Sequence, residues 1–177
     1  MTTRTRSTWL IAVMYAGAFA AGTQATSVEA ADTNKACGLL TASEIESVLG
    51  TNVVLDGSAS IPGGKIHICM GQAASAGVLL RLVTGLEPGR DRPGREEKAA
   101  LEGVKQLGGK VEVKVFGPIV CSTAEPPASK PYMGYHTTCT VSKETAMAVI
   151  EITANNKTDM VPIERLRPLG EKMAGRF

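Results

Sequence analysis

The sequence is poor in the side chains that most catalytic and nucleic-acid-binding sites use. It has two histidines and one tryptophan, and aromatic residues make up 4% of the chain. The formal net charge is +2. So small a charge gives no field that attracts nucleic acid or an anionic membrane, and so few rings give no stacking platform for bases or sugars. We therefore expect no nucleic-acid partner.

Apolar runs long enough to cross a membrane are also missing. The run from Trp9 to Ala21 has 13 residues, whereas a membrane-spanning helix needs about 20. Arg4 and Arg6 precede it, and Val28-Glu29-Ala30 fits the small-x-small rule for cleavage. These features are typical of a secretory signal peptide rather than of an uncleaved anchor.

We predict a signal peptide over residues 1–30, with cleavage after Ala25 as the alternative. Its removal takes away Arg4, Arg6 and Glu29, which lowers the net charge to +1 and leaves 147 residues. That length is enough for one core. We expect a flexible N-terminal segment over 31–36, a single domain over 37–177 and no transmembrane segment after cleavage. The expected location is the periplasm or the cell exterior.

Cysteine is scarce but even in number. The four cysteines are Cys37, Cys69, Cys121 and Cys139. An even number in an exported chain indicates two disulfides, and four cysteines allow three connectivities. No Cys-x-x-Cys motif occurs, which argues against a redox-active pair. No lipid-attachment motif precedes Cys37.

The strongest local pattern predicts a short helix that starts after Thr41 and ends at Gly50. Thr41 suits the N-cap, and Glu44 three residues later completes a capping box. Leu40 and Ile45 have the spacing of a hydrophobic staple. Gly50 suits the left-handed position after the last turn. At about two turns, this helix must dock on the rest of the domain to be stable.

The remaining pattern predicts six strands and two further helices. The strands cover 52–56, 65–70, 78–84, 110–121 with an interruption at 117–118, 135–141 and 146–154. One helix runs to about Leu107. The other is C-terminal, and Pro168 either breaks it or stands in its first turn. The fold class is therefore α+β: an antiparallel sheet in the order α-βββ-α-βββ-α, with the helices packed on one face and two disulfides.

The first segment resembles a broad group of exported bacterial domains of unknown function, many of them lipoproteins. The shared pattern is Cys-x-Leu-Leu-Thr-x-x-Glu-Ile-x-x-x-Leu-Gly, followed by a strand cysteine about 30 residues on. It is matched by Cys37, Leu39, Leu40, Thr41, Glu44, Ile45, Leu49, Gly50 and Cys69. The resemblance implies a Cys37–Cys69 disulfide and no catalytic residue. We favour Cys121–Cys139 as the second bridge, closing the proline-rich loop at its base.

Copper binding is the functional alternative with the most specific candidate residues. The candidate ligands are His67, Met70, Met133 and His136, because histidine and methionine suit copper. Two histidines and two methionines would have to converge, since oxidised cysteines are not ligands. We expect exposed strand histidines instead, and no cofactor.

An enzyme of unrecognised type is the second alternative. No Gly-x-Ser-x-Gly or Ser-x-x-Lys motif occurs, and the neighbouring acidic pairs do not face each other on a helix. We therefore assign no catalytic residues and predict a non-catalytic binding domain. Its expected partner is another envelope or extracellular protein. The best contact candidates are Tyr132, Tyr135 and His136 in and beside the proline-rich loop 122–134, because loops on rigid scaffolds carry function.

Overall fold

A computed structural model describes residues 34–61, 63–87 and 95–177, without the side chains of 95–97. The predicted signal peptide and its cleavage sites lie outside the described residues. Within the described ranges, no helix is both long and apolar enough to cross a membrane.

The chain folds into three α-helices and seven β-strands. The helices are α1 (Ala42–Leu49), α2 (Arg95–Gln106) and α3 (Ile163–Ala174). The strands are β1 (Val54–Ser60), β2 (Ile66–Gln72), β3 (Ala76–Thr84), β4 (Lys110–Phe116), β5 (Ile119–Glu125), β6 (Tyr135–Ser142) and β7 (Ala146–Ala154). Short 3₁₀ turns cover Pro131–Met133 and Lys157–Asp159.

All seven strands form one antiparallel sheet in the order β1-β2-β3-β7-β6-β5-β4. Two meanders, β1–β3 and β4–β7, meet where β3 pairs with β7. The α+β class, the antiparallel sheet and the two disulfides are thus confirmed. Cys69 and Cys139 occupy equivalent places on either side of this junction, because Cys69 pairs with Leu80, Leu80 with Ile150, and Ile150 with Cys139.

One face of the sheet, which we call the α3 face, carries the hydrophobic core. The row Cys69, Leu80, Ile150, Cys139 and Cys121 lies on it, and each of these residues is 0% exposed. The other face, which we call the α2 face, carries the side chains that lie between these positions along the same strands.

The helix α1 has the ends that its sequence predicts. The backbone N–H of Glu44 donates to Thr41 Oγ1, and the backbone N–H of Thr41 donates to Glu44 Oε2 at 3.0 Å. Gly50 ends the helix with φ 73°. Leu40 and Ile45 are fully buried. Glu44 also accepts hydrogen bonds from Lys172 and Arg176 near the C-terminus, so one side chain both caps α1 and ties it to α3.

The helix α3 runs through Pro168 without a break, which corrects the expectation of an interruption there. Ile163, Leu166, Leu169 and Met173 are buried against the sheet. Burying four such side chains, at about 1.5–3 kcal/mol each, outweighs the about 3 kcal/mol that an interior proline costs. The helix also approaches the sheet closely, because a Cβ on Gly170 would lie 3.0 Å from Ile119 Cγ2.

The helix α2 packs on the opposite face from α1 and α3. Its residues Leu101 and Val104 line a cleft with Ser122 and Thr138, which belong to the α2 face. The prediction that all helices pack on one face is therefore confirmed for α1 and α3 and is wrong for α2. The reason is that α3 already covers β5, β6 and β7 on the other side, so the apolar stripe of α2 finds free surface only here.

The predicted strand over 110–121 is two strands joined by a tight turn. Gly117 has φ 61°, a left-handed conformation that glycine adopts without strain. Phe116 pairs with Ile119, so β4 and β5 form a hairpin and the sheet has seven strands, not six. The alternation of β4 does not bury its valines, because Val113 and Val115 are 48% and 68% exposed. They lie on the α2 face at the sheet edge.

Both disulfides lie on the α3 face. Cys37 is bonded to Cys69 and joins the segment before α1 to β2. Cys121 is bonded to Cys139 and links β5 to β6 at a point where the two residues are directly paired. The start of the described chain is also held, because Asn34 Nδ2 donates to the carbonyl oxygens of Ala59 and Ile68.

Candidate binding sites on the open face of the sheet

The proline-rich loop presents one aromatic ring to solvent. The strand β5 extends to Glu125, so the loop covers 126–134 and is shorter than the predicted 122–134. Pro127 is fully buried and fixes the loop to the domain. Tyr132 lies in the 3₁₀ turn and is 81% exposed, whereas Tyr135 is partly buried at the start of β6.

His136 fixes the other end of this loop. Its Nε2 lies 2.6 Å from the carbonyl oxygen of Met133, and its Nδ1 lies 2.9 Å from Glu151 Oε1. A carbonyl oxygen can only accept a hydrogen bond, so Nε2 donates to Met133, and in the protonated ring Nδ1 donates to the Glu151 carboxylate. Thr153 Oγ1 donates to the same carboxylate oxygen at 3.3 Å.

The charges of this pair support each other. The hydrogen bond to Glu151 raises the pKa of His136 above its ordinary value, although burial opposes the shift. The hydrogen bond from His136 lowers the pKa of Glu151, and the charge of Arg81 adds to that effect. In the protonated ring both nitrogens donate, and His136 then has no lone pair to accept a proton or bind a metal ion.

The four candidate copper ligands do not come together. His67 and Met70 lie on β2 and point to opposite faces, since they are three residues apart in one strand. Met133 and His136 lie at the start of β6, and β3 and β7 stand between β2 and β6. Three strand spacings amount to about 14 Å. Four side chains so placed cannot share one copper ion, and the described residues contain no cluster of three or more His, Cys, Asp or Glu side chains placed to bind a metal.

His67 has a different neighbour. Its Nδ1 lies 3.1 Å from Ser60 Oγ on the adjacent strand β1. Ser60 is exposed, and neither residue lines a cavity described here. In a hydrolytic Ser–His pair the serine faces Nε2 and a carboxylate orients Nδ1. The contact through Nδ1 therefore does not have the catalytic arrangement.

A cleft of about 400 Å³ lies between α2 and the α2 face of the sheet. Its apolar wall is formed by Ala100, Leu101 and Val104 of α2. Its polar floor comes from four strands. The floor residues include Arg81 of β3, Ser122 of β5, His136, Thr138 and Thr140 of β6, and Glu151 of β7.

Arg81 is the unusual member of this set. Its Nε is buried and has no hydrogen-bond partner within the described part of the chain. Sequence reasoning missed Arg81 and Glu151 as site residues. A signal was present, because each is a single charge inside an otherwise apolar central strand, Val78 to Val83 and Ala148 to Ile152. A charge in such a position is a misfit unless it serves a function.

A second cavity, of about 840 Å³, lies on the α3 face near the two ends of the described chain. Lys35, Leu82, Arg176 and Phe177 are among its lining residues. Arg176 is engaged there by the carbonyl oxygen of Leu39 and by Glu44. The Nζ of Lys143 lies 5.0 Å from the centre of the Phe177 ring. These contacts hold the C-terminal residues Arg176 and Phe177 on the domain.

Comparison with known proteins gives no family assignment. No protein-family model matches the chain, and no curated protein is significantly similar to it in sequence. The function has to be argued from the geometry of the described residues.

Proposed function

We propose that this protein is an exported, non-catalytic binding domain that recognises another envelope or extracellular protein through the loop 126–134. The two disulfides support the exported location, since such bonds persist in oxidising compartments. The signal-peptide pattern of residues 1–30 agrees with it. The resemblance of Cys37 to Gly50 to exported bacterial domains stays a prediction.

One observation carries the assignment of the contact site: Tyr132 is 81% exposed on a loop that is fixed at both ends. Pro127 is buried at one end, and the hydrogen bond between His136 and the Met133 carbonyl closes the other. Little conformational entropy remains to be lost when a partner binds. Tyrosine is also among the residues that contribute most to the binding energy of protein interfaces.

The non-catalytic assignment is supported by the state of His136. Both ring nitrogens lie within hydrogen-bond distance of Glu151 or Met133, so the ring cannot act as a general base without giving up one of these contacts. We place His136 as a positioning residue of the loop. Tyr135, which is partly buried, supports the loop rather than presenting a free ring.

Site-specific photo-crosslinking tests this proposal. A photo-reactive phenylalanine analogue replaces Tyr132 in one variant and Val54, which is 60% exposed on the edge strand β1, in a control variant. We expect one adduct of defined mass, formed only from position 132 and recovered outside the cytoplasm. An excess of unlabelled wild-type protein should suppress it, whereas an excess of Tyr132→Ala should not.

Two outcomes would contradict the proposal: an adduct that forms equally well from position 54, or suppression by Tyr132→Ala as strong as by the wild type. Because Tyr132 is exposed, its replacement by alanine should change the free energy of unfolding by less than about 0.5 kcal/mol. A lost adduct would then report lost contact rather than lost folding.

A further inference from the structure

The cleft between α2 and the sheet has the size and lining of a small-molecule site. Its volume of about 400 Å³ falls within the range that such sites occupy. One wall is apolar and the floor is polar, an arrangement that buries the body of a ligand and orients its polar group. This site is distinct from the exposed ring of Tyr132, although Met133 and His136 belong to both regions.

Arg81 indicates which polar group the ligand would carry. Its Nε–H is buried with no acceptor within the described ranges, on β3, which pairs with the central strand β7. A buried donor of a charged group is costly to leave unsatisfied. The guanidinium that carries this Nε lines the cleft, and its planar geometry matches that of a carboxylate.

The charge of the cleft limits the ligand to one negative charge. When His136 is protonated, it forms with Glu151 a hydrogen-bonded ion pair that is neutral as a unit. Arg81 then leaves one net positive charge among the lining residues. A dianion would face the Glu151 carboxylate without a second cation to balance it, so a monoanion fits best.

We propose that this cleft binds a small organic carboxylate with an apolar body. The carboxylate pairs with the guanidinium of Arg81, which lines the cleft, and the apolar body packs against Leu101 and Val104 of α2. This binding goes beyond the recognition of a protein partner and does not depend on it, because the contacts involve α2 and the floor of the sheet rather than Tyr132.

Titration calorimetry with a matched pair of probes tests the inference. Octanoate supplies a carboxylate and an apolar chain, and octanamide supplies the same chain without the charge. We expect octanoate to bind the purified, disulfide-bonded protein about tenfold more tightly than octanamide. Arg81→Met, which keeps an unbranched side chain in place, should weaken octanoate about tenfold and leave octanamide unchanged.

Two further variants keep the test specific. Arg165→Met removes an exposed arginine from α3, on the other face of the sheet, and should bind octanoate like the wild type. Val104→Trp places a large side chain in the cleft from its α2 wall and should abolish binding of both probes. The thermal unfolding transition of this variant should stay cooperative.

Several outcomes would overturn the inference. These are equal affinity for the two probes, wild-type affinity in Arg81→Met, octanoate binding that survives Val104→Trp, or no saturable octanoate binding up to about 10 mM. Survival in Val104→Trp would place the probe in the cavity beside Phe177 instead. None of these results bears on the Tyr132 crosslink, so the two proposals fail separately.

Discussion

The two faces of the sheet use the same seven strands but bury different groups. On the α3 face the central row is fully buried and contains three of the four disulfide-bonded cysteines: Cys69, Cys121 and Cys139. The helix α3 packs over it, and α1 packs on α3. On the α2 face the neighbouring rows carry Arg81, Thr138, Thr140 and Glu151, and one helix covers only the β4–β5 side.

This difference indicates that the residues that stabilise the fold and the residues available to a ligand lie on opposite faces of the sheet. Groups in the buried row of the α3 face are apolar or disulfide-bonded, so they contribute stability and leave little for a ligand to contact. The α2 face also buries Val149, but it places charged and hydroxyl groups, among them Arg81 and Thr138, along an open cleft. The core packed on the α3 face thus stabilises the sheet, and the α2 face presents polar groups.

The largest effect should come from the core of the α3 face. Leu166 is 0% exposed, so Leu166→Ala should lower the free energy of unfolding by about 3–5 kcal/mol through lost burial and a cavity. Leu101→Ala on α2 is the matched control and should cost only about 1 kcal/mol, since Leu101 is half-buried. Urea unfolding measures both. Equal losses in the two variants would contradict the division between the faces.

The disulfide between β5 and β6 should come next. Cys121 and Cys139 are 18 residues apart, and closing a loop of that size stabilises a protein by about 3 kcal/mol through the unfolded state. The double variant Cys121→Ala/Cys139→Ala should lose that amount in urea unfolding. It should keep the wild-type circular dichroism spectrum below its transition, because the two strands stay paired. A loss under about 1 kcal/mol would show that the bridge does not brace this face.

The smallest of the three effects should come from His136 and Glu151 on the α2 face, and it should depend on pH. The pKa of His136 is raised from 6.5, so its contribution is complete below pH 6.5 and is lost as the pH rises through the higher folded-state value. The pKa of Glu151 is lowered from 4.5, so its contribution is complete above pH 4.5 and is lost as the pH falls through the lower folded-state value.

The ion pair therefore stabilises the protein most between pH 4.5 and 6.5. Glu151→Gln should cost about 1–2 kcal/mol there and less at alkaline pH, as measured by urea unfolding across the range. Glu171→Gln on α3 provides the control, because it removes an ion pair with Arg167, 2.7 Å away, in which no histidine takes part. A Glu151→Gln difference that stays constant with pH would refute the charged pair.

The parts of the fold that the sequence predicts are those set by nearby residues. The capping box of Thr41 and Glu44 and the left-handed Gly50 depend on contacts within one or two helical turns. The strand β7 has the predicted bounds, 146–154, and β4 begins at the predicted residue 110, because their alternation or apolar run is clear along the chain. The Cys37–Cys69 bridge, implied by resemblance, is also confirmed.

The binding cleft could not be assembled from the sequence in the same way. Arg81, His136 and Glu151 come from three strands and meet only because β3, β7 and β6 are neighbours in the sheet. Strand order depends on pairings between residues that are tens of positions apart. The copper hypothesis placed His67 and His136 at one site for the same reason, since the sequence does not show that β3 and β7 separate them.

The sequence by itself determined the local elements: the ends of α1, the alternation of the strands and the scarcity of catalytic side chains. Only the tertiary structure decided which face of the sheet each helix covers. It kept Pro168 inside α3, because burial of Ile163, Leu166, Leu169 and Met173 outweighs one lost hydrogen bond. The helix α2 packs on the opposite face, because α3 covers β5 to β7 on the α3 face. Local signals fix conformation over a few residues, whereas competition for buried surface is settled by the whole chain.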